Sequence, residues 1–181
     1  MNDLALFARR LLRNPRQVSA LAPSSRQLAR AMAEGLGPTT GRVVEFGPGT
    51  GRLTRAILAA GVPPGHLELV ELDFDFVRHL RADLPGVRVH HLGADVADQA
   101  TQPGVGAVVS GLPLLSMPLP LREAIIAAAF RILAPEAPLI QFTYSKVNPV
   151  PVKSLARVLG LPAGRLRKPY LNMAGSPLRA G

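Results

Sequence analysis

The fold is decided by the stretch Arg42-Val43-Val44-Glu45-Phe46-Gly47-Pro48-Gly49-Thr50-Gly51. Its first five residues predict a short apolar strand, and its three glycines predict a tight turn in which a ligand can approach the backbone. Residues 50–60 predict the helix that follows. The free amides at the start of such a helix can hold polar or anionic groups of a ligand. Taken alone, this turn is equally compatible with an ordinary connection between a strand and a helix.

Strands and helices alternate outward from this turn along the chain. Further strands are predicted over residues 67–72, 87–92, 106–110, 139–145 and 168–173, and helices over residues 3–13, 26–34, 74–83, 122–133 and 152–159. Most of the strands are apolar on both faces, which is typical of a buried, mainly parallel sheet covered by helices. The sequence therefore predicts an α/β fold with a single Rossmann-like domain and helices on both faces of the sheet. Such sheets bind ligands outside the carboxyl ends of their strands.

Two acidic residues flank the glycine turn. Glu71 ends the second predicted strand, 20 residues after Gly51, where a carboxylate can accept hydrogen bonds from both hydroxyls of a ribose. Glu45 lies two residues before the first glycine, where a carboxylate can bind an ammonium group. S-adenosylmethionine carries an ammonium group on its amino-acid part, whereas a nicotinamide dinucleotide does not. Because Arg52 stands where the dinucleotide pattern Gly-x-Gly-x-x-Gly has its third glycine, the sequence favours S-adenosylmethionine.

Three further strand ends carry candidate contacts to the cofactor or the acceptor. Asp95 follows the third strand and can accept a hydrogen bond from the adenine amine, although an aspartate there is equally typical of a turn. Ser110 ends the fourth strand, and its hydroxyl can orient an acceptor amine; the alternative is that the apolar turn after it is only scaffolding. Tyr144, near the end of the fifth strand, can line the acceptor pocket or serve as a core residue.

Composition limits the classes of site and partner. The 181 residues include no cysteine, which excludes disulfides, thiolate zinc sites and cysteine nucleophiles. The four histidines lack the spacing of metal ligands, so no metal is expected. The net charge of +9 favours a polyanionic partner, either nucleic acid or an anionic membrane surface. No stretch predicts a transmembrane helix or a signal peptide, and we therefore expect a cytoplasmic protein that can be peripheral to a membrane.

The helix predicted over residues 3–13 is amphipathic. The residues that give it two faces are Leu4, Phe7 and Leu11 on the apolar side and Arg9, Arg10 and Arg13 on the basic side. Such a helix can lie in the interface of an anionic membrane, or it can cover the sheet. Residues 1–40 are interpreted as a region of amphipathic or lid helices packed on the domain, and residues 41–181 as the domain itself.

These motifs resemble those of class I S-adenosylmethionine-dependent methyltransferases, in the branch that includes the rRNA adenine dimethyltransferases. Within this branch the sequence is similar to the bacterial phospholipid N-methyltransferases over nearly the whole chain. The segments that carry the resemblance are Asn14-Pro15, Ala22-Pro23-Ser24-Ser25, the glycine turn, Val70-Glu71-Leu72-Asp73, Val109-Ser110-Gly111-Leu112-Pro113-Leu114 and Gln141-Phe142-Thr143-Tyr144. Enzymes of the branch that act on nucleic acid have Asn-Leu-Pro-Tyr or Asn-Pro-Pro-Tyr where this chain has Gly111-Leu112-Pro113-Leu114. The missing aromatic side chain makes nucleic acid the less expected partner.

The resemblance implies a function and a set of site residues. The function is stepwise methyl transfer from S-adenosylmethionine to phosphatidylethanolamine, towards phosphatidylcholine, on the inner face of the cell membrane. Cofactor contacts are implied for Glu45, Gly47, Pro48, Gly49, Thr50, Gly51, Glu71, Leu72, Asp95 and Ser110, and Ser110 and Tyr144 are implied as catalytic residues near the headgroup. Two alternatives remain open, namely an RNA or small-molecule amine methyltransferase and a relative that keeps the fold without catalysis.

Overall fold

The computed structural model describes residues 26–142, Pro149 and the strand 170–172. The helices are α1 (Arg26–Met32), α2 (Arg52–Ala59), α3 (Phe74–Asp83) and α4 (Leu119–Ile132). The strands are β1 (Val43–Phe46), β2 (Leu67–Glu71), β3 (Arg88–His91), β4 (Ala107–Ser110), β5 (Leu139–Gln141) and β6 (Tyr170–Asn172). Short 3-10 helices cover Pro64–His66, Ala94–Gln99 and Leu114–Ser116.

The strands form one sheet in the order β3-β2-β1-β4-β5-β6, and each neighbouring pair is parallel. This arrangement confirms the predicted α/β, Rossmann-like fold. The strand order reverses between β1 and β4, which is the point at which a parallel sheet opens a crevice at the carboxyl ends of its strands. Phe46, the last residue of β1, is paired in register with Ser110, the last residue of β4. The residues after these two strands therefore meet at one edge, which we call the site edge.

Two hydrophobic cores cover the two faces of the sheet, because side chains alternate along each strand. On one face, α1, α2 and α3 pack over residues such as Val43. On the other face, α4 and the 3-10 helix Ala94–Gln99 pack over residues such as Val108. The alternation places Glu45 on the same face as Val43 and Ser110 on the same face as Val108. The candidate cofactor and acceptor residues thus approach the site edge from opposite faces of the sheet.

One difference from the predicted elements concerns α4, which begins at Leu119 rather than at residue 122. Pro118 precedes the helix and Pro120 lies in its first turn, where a proline is tolerated because the amide hydrogen it lacks would have no partner in the helix. The predicted strand at 168–173 is present as β6. The three 3-10 helices have only three to six residues each, too few for a periodic sequence pattern to reveal them.

Several predicted features lie outside the described residues. They are the helices predicted over residues 3–13 and 152–159, Tyr144, and the membrane-binding candidates Leu4, Phe7, Arg9, Arg10, Leu11 and Arg13. Of residues 1–40, the structure describes those from Arg26 onward, where Ala29 and Met32 of α1 are buried in the core that α1 shares with α2. Among the described helices, none is long and apolar enough to span a bilayer.

A buried ionic cluster joins the first strands at the edge opposite the site edge. Glu68, near the start of β2, is its centre, and only 3% of this side chain is exposed. Its carboxylate lies 3.2 Å from Arg42 Nη1, 3.5 Å from Arg88 Nη1 and 2.8 Å from His90 Nε2, and Thr101 Oγ1 donates to it at 3.5 Å. A buried carboxylate is tolerated when cations and hydrogen-bond donors surround it. This cluster, called the Glu68 cluster below, is therefore structural and separate from the candidate site.

Candidate active site

The glycine turn after β1 is shaped by its backbone. Gly47, Gly49 and Gly51 have φ angles of 68°, 53° and 76°, in the left-handed region that favours glycine. A Cβ atom at Gly47 would overlap the Leu112 side chain, whereas a Cβ atom at Gly49 would meet no atom within 4 Å. Gly47 is therefore covered by the loop after β4. Gly49 faces open space, from which a ligand can approach the backbone.

Glu45 is a buried carboxylate beneath this turn. None of its surface is exposed, and neither carboxylate oxygen has a hydrogen-bond partner among the described residues. Burial raises the pKa of Glu45 to about 8, and the charge of Glu71 adds to this rise. The nearby Thr54 hydroxyl lowers the pKa in part, although no hydrogen bond of normal geometry joins the two groups. An unpartnered buried carboxylate is costly, and an ammonium group would satisfy it. The geometry therefore fits the amino-acid part of S-adenosylmethionine.

Glu71 ties the glycine turn to the end of β2. Its Oε2 accepts a hydrogen bond from the Gly49 amide at 3.0 Å, and its Oε1 accepts from the amides of Leu72 and Asp73 at 2.8 and 2.9 Å. Burial raises the pKa of Glu71, although these three amides lower it in part. A carboxylate has about four acceptor positions. The three amides leave room for one ribose hydroxyl, rather than for the two that the sequence pattern predicts.

The residues after β2 and β3 line the next part of the site edge. Asp95 is half-buried in the first turn of the 3-10 helix, with its carboxylate folded against Gly93. Asp98, one turn further on, is bound by Arg131 of α4 at 2.6 Å, and this guanidinium lowers the pKa of Asp98. Of these two aspartates, Asp95 is therefore the one whose carboxylate is not held by an arginine. Leu72 is half-buried after β2, and its carbonyl oxygen lies 3.2 Å from Nε2 of His91.

The loop after β4 is held by buried polar groups. Ser110 is 1% exposed, and its hydroxyl oxygen lies 3.4 Å from the Leu112 amide, which donates to it. Gln141, the last residue of β5, is fully buried; its Nε2 donates to the carbonyl oxygens of Leu112, at 2.9 Å, and of Phe142. The sequence reasoning did not single out Gln141 as a site residue. The available signal was a polar side chain at the end of an otherwise apolar buried strand.

The structure brings most of the predicted site residues to the site edge. The glycine turn, Glu45 and Glu71 lie together at the ends of β1 and β2, and the loop after Ser110 lies directly against them. The Gly111 amide donates to the Phe46 carbonyl at 3.2 Å, which joins the two loops through their backbones. Within the described part of the chain, no group of three or more histidine, aspartate or glutamate side chains is arranged to hold a metal.

Comparison with known proteins identifies this arrangement. The chain is 32% identical over 151 residues to an ornithine lipid N-methyltransferase from Singulisphaera acidiphila, and the match covers 79% of each protein. Its fold matches a TehB-like S-adenosylmethionine-dependent methyltransferase from Corynebacterium glutamicum with a TM-score of 0.58, at 17% identity, over 85% of this chain and 82% of that one. No protein-family model matches the sequence.

A structure with bound cofactor is among the similar folds. It is an amino pentose methyltransferase from Micromonospora echinaspora, solved with S-adenosylmethionine, with a TM-score of 0.50 and 25% identity over 64% of this chain. This chain spans 46% of that enzyme. Together with the chemistry of Glu45 and the glycine turn, these relatives identify S-adenosylmethionine as the cofactor. The chain therefore belongs to the class I S-adenosylmethionine-dependent methyltransferases, in the same family as the ornithine lipid N-methyltransferase.

Proposed function

We propose that this methyltransferase acts on the amine of a membrane lipid headgroup, with phosphatidylethanolamine as the substrate and phosphatidylcholine as the final product. The observation that carries the lipid acceptor is the 32% identity, over 79% of the chain, to an ornithine lipid N-methyltransferase. The choice of phosphatidylethanolamine rests on the resemblance to the phospholipid N-methyltransferases. Ornithine lipid is the second substrate to test, because it is the substrate in that relative's name. Both are lipids that carry an amine in their headgroup, so the same acceptor chemistry serves both.

On the donor side, the bound sulfonium supplies an electrophilic methyl group. The residues of this chain would hold and orient the donor: Glu45 would pair with its ammonium group, the backbone at Gly49 would lie against it, and Glu71 would accept a hydrogen bond from one ribose hydroxyl. Asp95 would accept a hydrogen bond from the adenine amine. Most of the rate acceleration in such a displacement comes from alignment of the two reacting groups, so rigid placement of the donor is the main task of this edge.

On the acceptor side, the Ser110 hydroxyl and the backbone carbonyls of the following loop orient the headgroup amine, with Tyr144 as a further contact. The amine must lose a proton before it attacks the methyl group. The loop 111–121 contains no titratable side chain. We therefore assign proton removal to water or, for phosphatidylethanolamine, to the phosphate of the lipid itself, rather than to a general base from this loop.

The distribution of charge supports action at an anionic membrane surface. Residues 26–142 contain ten arginines, no lysine and eleven acidic residues, so this part of the chain is nearly neutral. The positive excess lies in residues 1–25, with four arginines and one aspartate, and in residues 143–181, with seven basic residues and no acidic one. Basic segments of this kind are attracted to the anionic cytoplasmic leaflet. The arginines of the predicted helix over residues 3–13 belong to the first of these segments.

The test is a methylation assay with labelled S-adenosylmethionine and vesicles that contain phosphatidylethanolamine or ornithine lipid. The expected result is methylated lipid, identified by mass spectrometry, with none from a Glu71→Ala variant, whose cofactor site is impaired. Methylation of RNA or of a soluble amine, with none of either lipid, would refute the proposal. Deletion of residues 1–13 tests the membrane role: binding to anionic vesicles should weaken, and unchanged binding would exclude that helix as the anchor.

A further inference from the structure

Large apolar side chains are exposed at few places in the described part of the chain, and all of these lie at the site edge. They are Phe74, Leu115 and Leu119, which are 57%, 37% and 39% exposed. Phe74 begins α3, three residues after the end of β2. Leu115 lies in the 3-10 helix Leu114–Ser116 that follows β4, and Leu119 is the first residue of α4. We call these three side chains the apolar rim.

The rim flanks the cofactor turn on both sides. β2 and β4 are the two neighbours of β1 in the sheet, about 10 Å apart across it. The glycine turn after β1 thus lies between Phe74 on one side and the two leucines on the other. The leucine side also lacks charge, because the loop 111–121 that follows β4 includes no acidic or basic side chain.

We propose that the apolar rim enters the interfacial region of the lipid bilayer and so presents the headgroup amine to the cofactor turn. This inference rests on the proposed function, because it assumes a lipid acceptor. A headgroup can reach the methyl donor while its acyl chains remain in the bilayer only if the site edge itself faces the membrane. Leucine and phenylalanine side chains gain free energy when they leave water for the headgroup and acyl boundary.

The position of the rim favours a lipid surface over a protein partner. Two half-exposed leucines and one phenylalanine offer far less apolar area than a specific protein interface of about 800 Å² per partner requires. A bilayer makes no such demand, because shallow insertion of a few apolar side chains adds to the attraction of basic segments elsewhere in the chain. The rim is therefore a second membrane contact. It orients the site edge towards the bilayer, whereas the basic segments only attract the enzyme to the surface.

The experiment compares the wild type with a Leu115→Ser/Leu119→Ser variant on vesicles of zwitterionic phosphatidylcholine that contain phosphatidylethanolamine or ornithine lipid. Leu119 is the first residue of α4 and is partly exposed, so Leu119→Ser should remove little of the packing that holds this helix. From the apolar area removed, the variant should bind these vesicles roughly tenfold more weakly and show a similar loss of activity on them. Its affinity for S-adenosylmethionine and its activity on a short-chain, water-soluble form of the same lipid should match the wild type.

The control is Leu58→Ser, a partly buried leucine near the end of α2, at the opposite edge of the sheet. This variant should bind vesicles as the wild type does. Wild-type vesicle binding and activity in the double variant would overturn the rim proposal, and equal losses on the soluble and the vesicle substrate would do the same. If the wild-type protein methylates neither lipid in either form, the proposed function itself fails. Self-association of the wild type that the double variant abolishes, with unchanged vesicle binding, would instead assign the rim to a second copy of the chain.

Discussion

The burial of Glu45 makes a specific prediction about the pH dependence of cofactor binding. Its pKa is raised to about 8, so at neutral pH most of the free enzyme carries a protonated, neutral Glu45. Only the ionised carboxylate can pair with the ammonium group of the cofactor. Binding must therefore release a proton below pH 8. The perturbation that isolates this effect is Glu45→Gln, which keeps the shape of the side chain and removes its titration.

The size of the effect follows from the pKa of about 8. Each pH unit below this value costs about 1.4 kcal/mol to ionise the carboxylate, so affinity for S-adenosylmethionine should improve about tenfold between pH 6 and pH 7. Above pH 8 the α-amino group of the cofactor loses its own proton, because such groups have pKa values near 8, and affinity should fall again. In Glu45→Gln, the increase of cofactor affinity with pH below pH 8 should vanish. At pH 8 the affinity of this variant should be lower than that of the wild type by about 2 kcal/mol, or roughly 30-fold, because a charge-assisted contact is lost.

Isothermal titration calorimetry at pH 7, in two buffers of different ionisation enthalpy, measures the proton release directly. The wild type should release about one proton per cofactor bound, and Glu45→Gln should release none. Glu34→Gln, the same change at an exposed glutamate after α1, is the matched control and should behave as the wild type. Binding without proton release in the wild type at pH 7, or a wild-type pH profile in Glu45→Gln, would refute the assignment of the ammonium group to Glu45.

The same carboxylate makes folding stability fall as pH rises. The folded protein holds the Glu45 proton more tightly than the unfolded chain, in which the pKa is near 4.5. Stability from this group is therefore complete below about pH 4.5 and is lost progressively up to about pH 8. The loss is about 5 kcal/mol at most, by the same conversion. Urea denaturation should show that Glu45→Gln flattens this part of the pH profile; an unchanged slope would mean that Glu45 is not the group responsible.

Other substitutions test the remaining parts of the site. Gly47→Ala should lower the free energy of unfolding in urea by about 2 kcal/mol, because the φ angle of Gly47 is positive and the new methyl group overlaps Leu112. Gly49→Ala should cost less, because its methyl group meets open space, and equal costs would contradict the contact between Gly47 and Leu112. Gln141→Leu should lower kcat about tenfold and leave cofactor affinity within about twofold, because the Leu112 carbonyl loses its donor and the acceptor loop its position; unchanged kcat would exclude this role. Glu68→Gln should destabilise the fold by about 3 kcal/mol without changing cofactor affinity, and a large change in that affinity would show that the Glu68 cluster is not separate from the site.

Much of the donor side follows from local sequence. The strand, the turn and the helix of residues 42–60 carry their own signals, namely an apolar run, three glycines and helical periodicity. The position of Glu71 can also be predicted from the sequence, because this residue ends an apolar strand at a typical distance from the glycine turn. The sequence could not reveal that three backbone amides already occupy the Glu71 carboxylate, since the Gly49 amide comes from another element, 22 residues earlier. The number of amides bound to this carboxylate decides how many ribose hydroxyls can bind without displacing an amide.

The acceptor side is harder to predict, because contacts between residues of different strands and loops hold it in place. Gln141 holds the carbonyl of Leu112, which lies 29 residues earlier in the chain. Neither residue type signals this contact, and it exists only because β4 and β5 are neighbours in the sheet. The early start of α4 has a similar origin. Pro118 and Pro120 suggest a loop, yet both are compatible with the start of a helix. Burial of Leu121 and Ile125 in the core favours a helix that begins at Leu119.

The contacts between the two loops also indicate where acceptor specificity can change. Gln141 fixes the Leu112 carbonyl, the Leu112 side chain covers Gly47, and the Gly111 amide binds the Phe46 carbonyl. A substitution at Gly47 or Leu112 disturbs the donor site as well as the acceptor site, so these two positions are constrained by cofactor binding. Beyond Leu112, the loop exposes part of the Leu115 side chain. Changes that suit the enzyme to an acceptor held in a membrane, rather than to one in solution, should therefore fall in the exposed part of the loop.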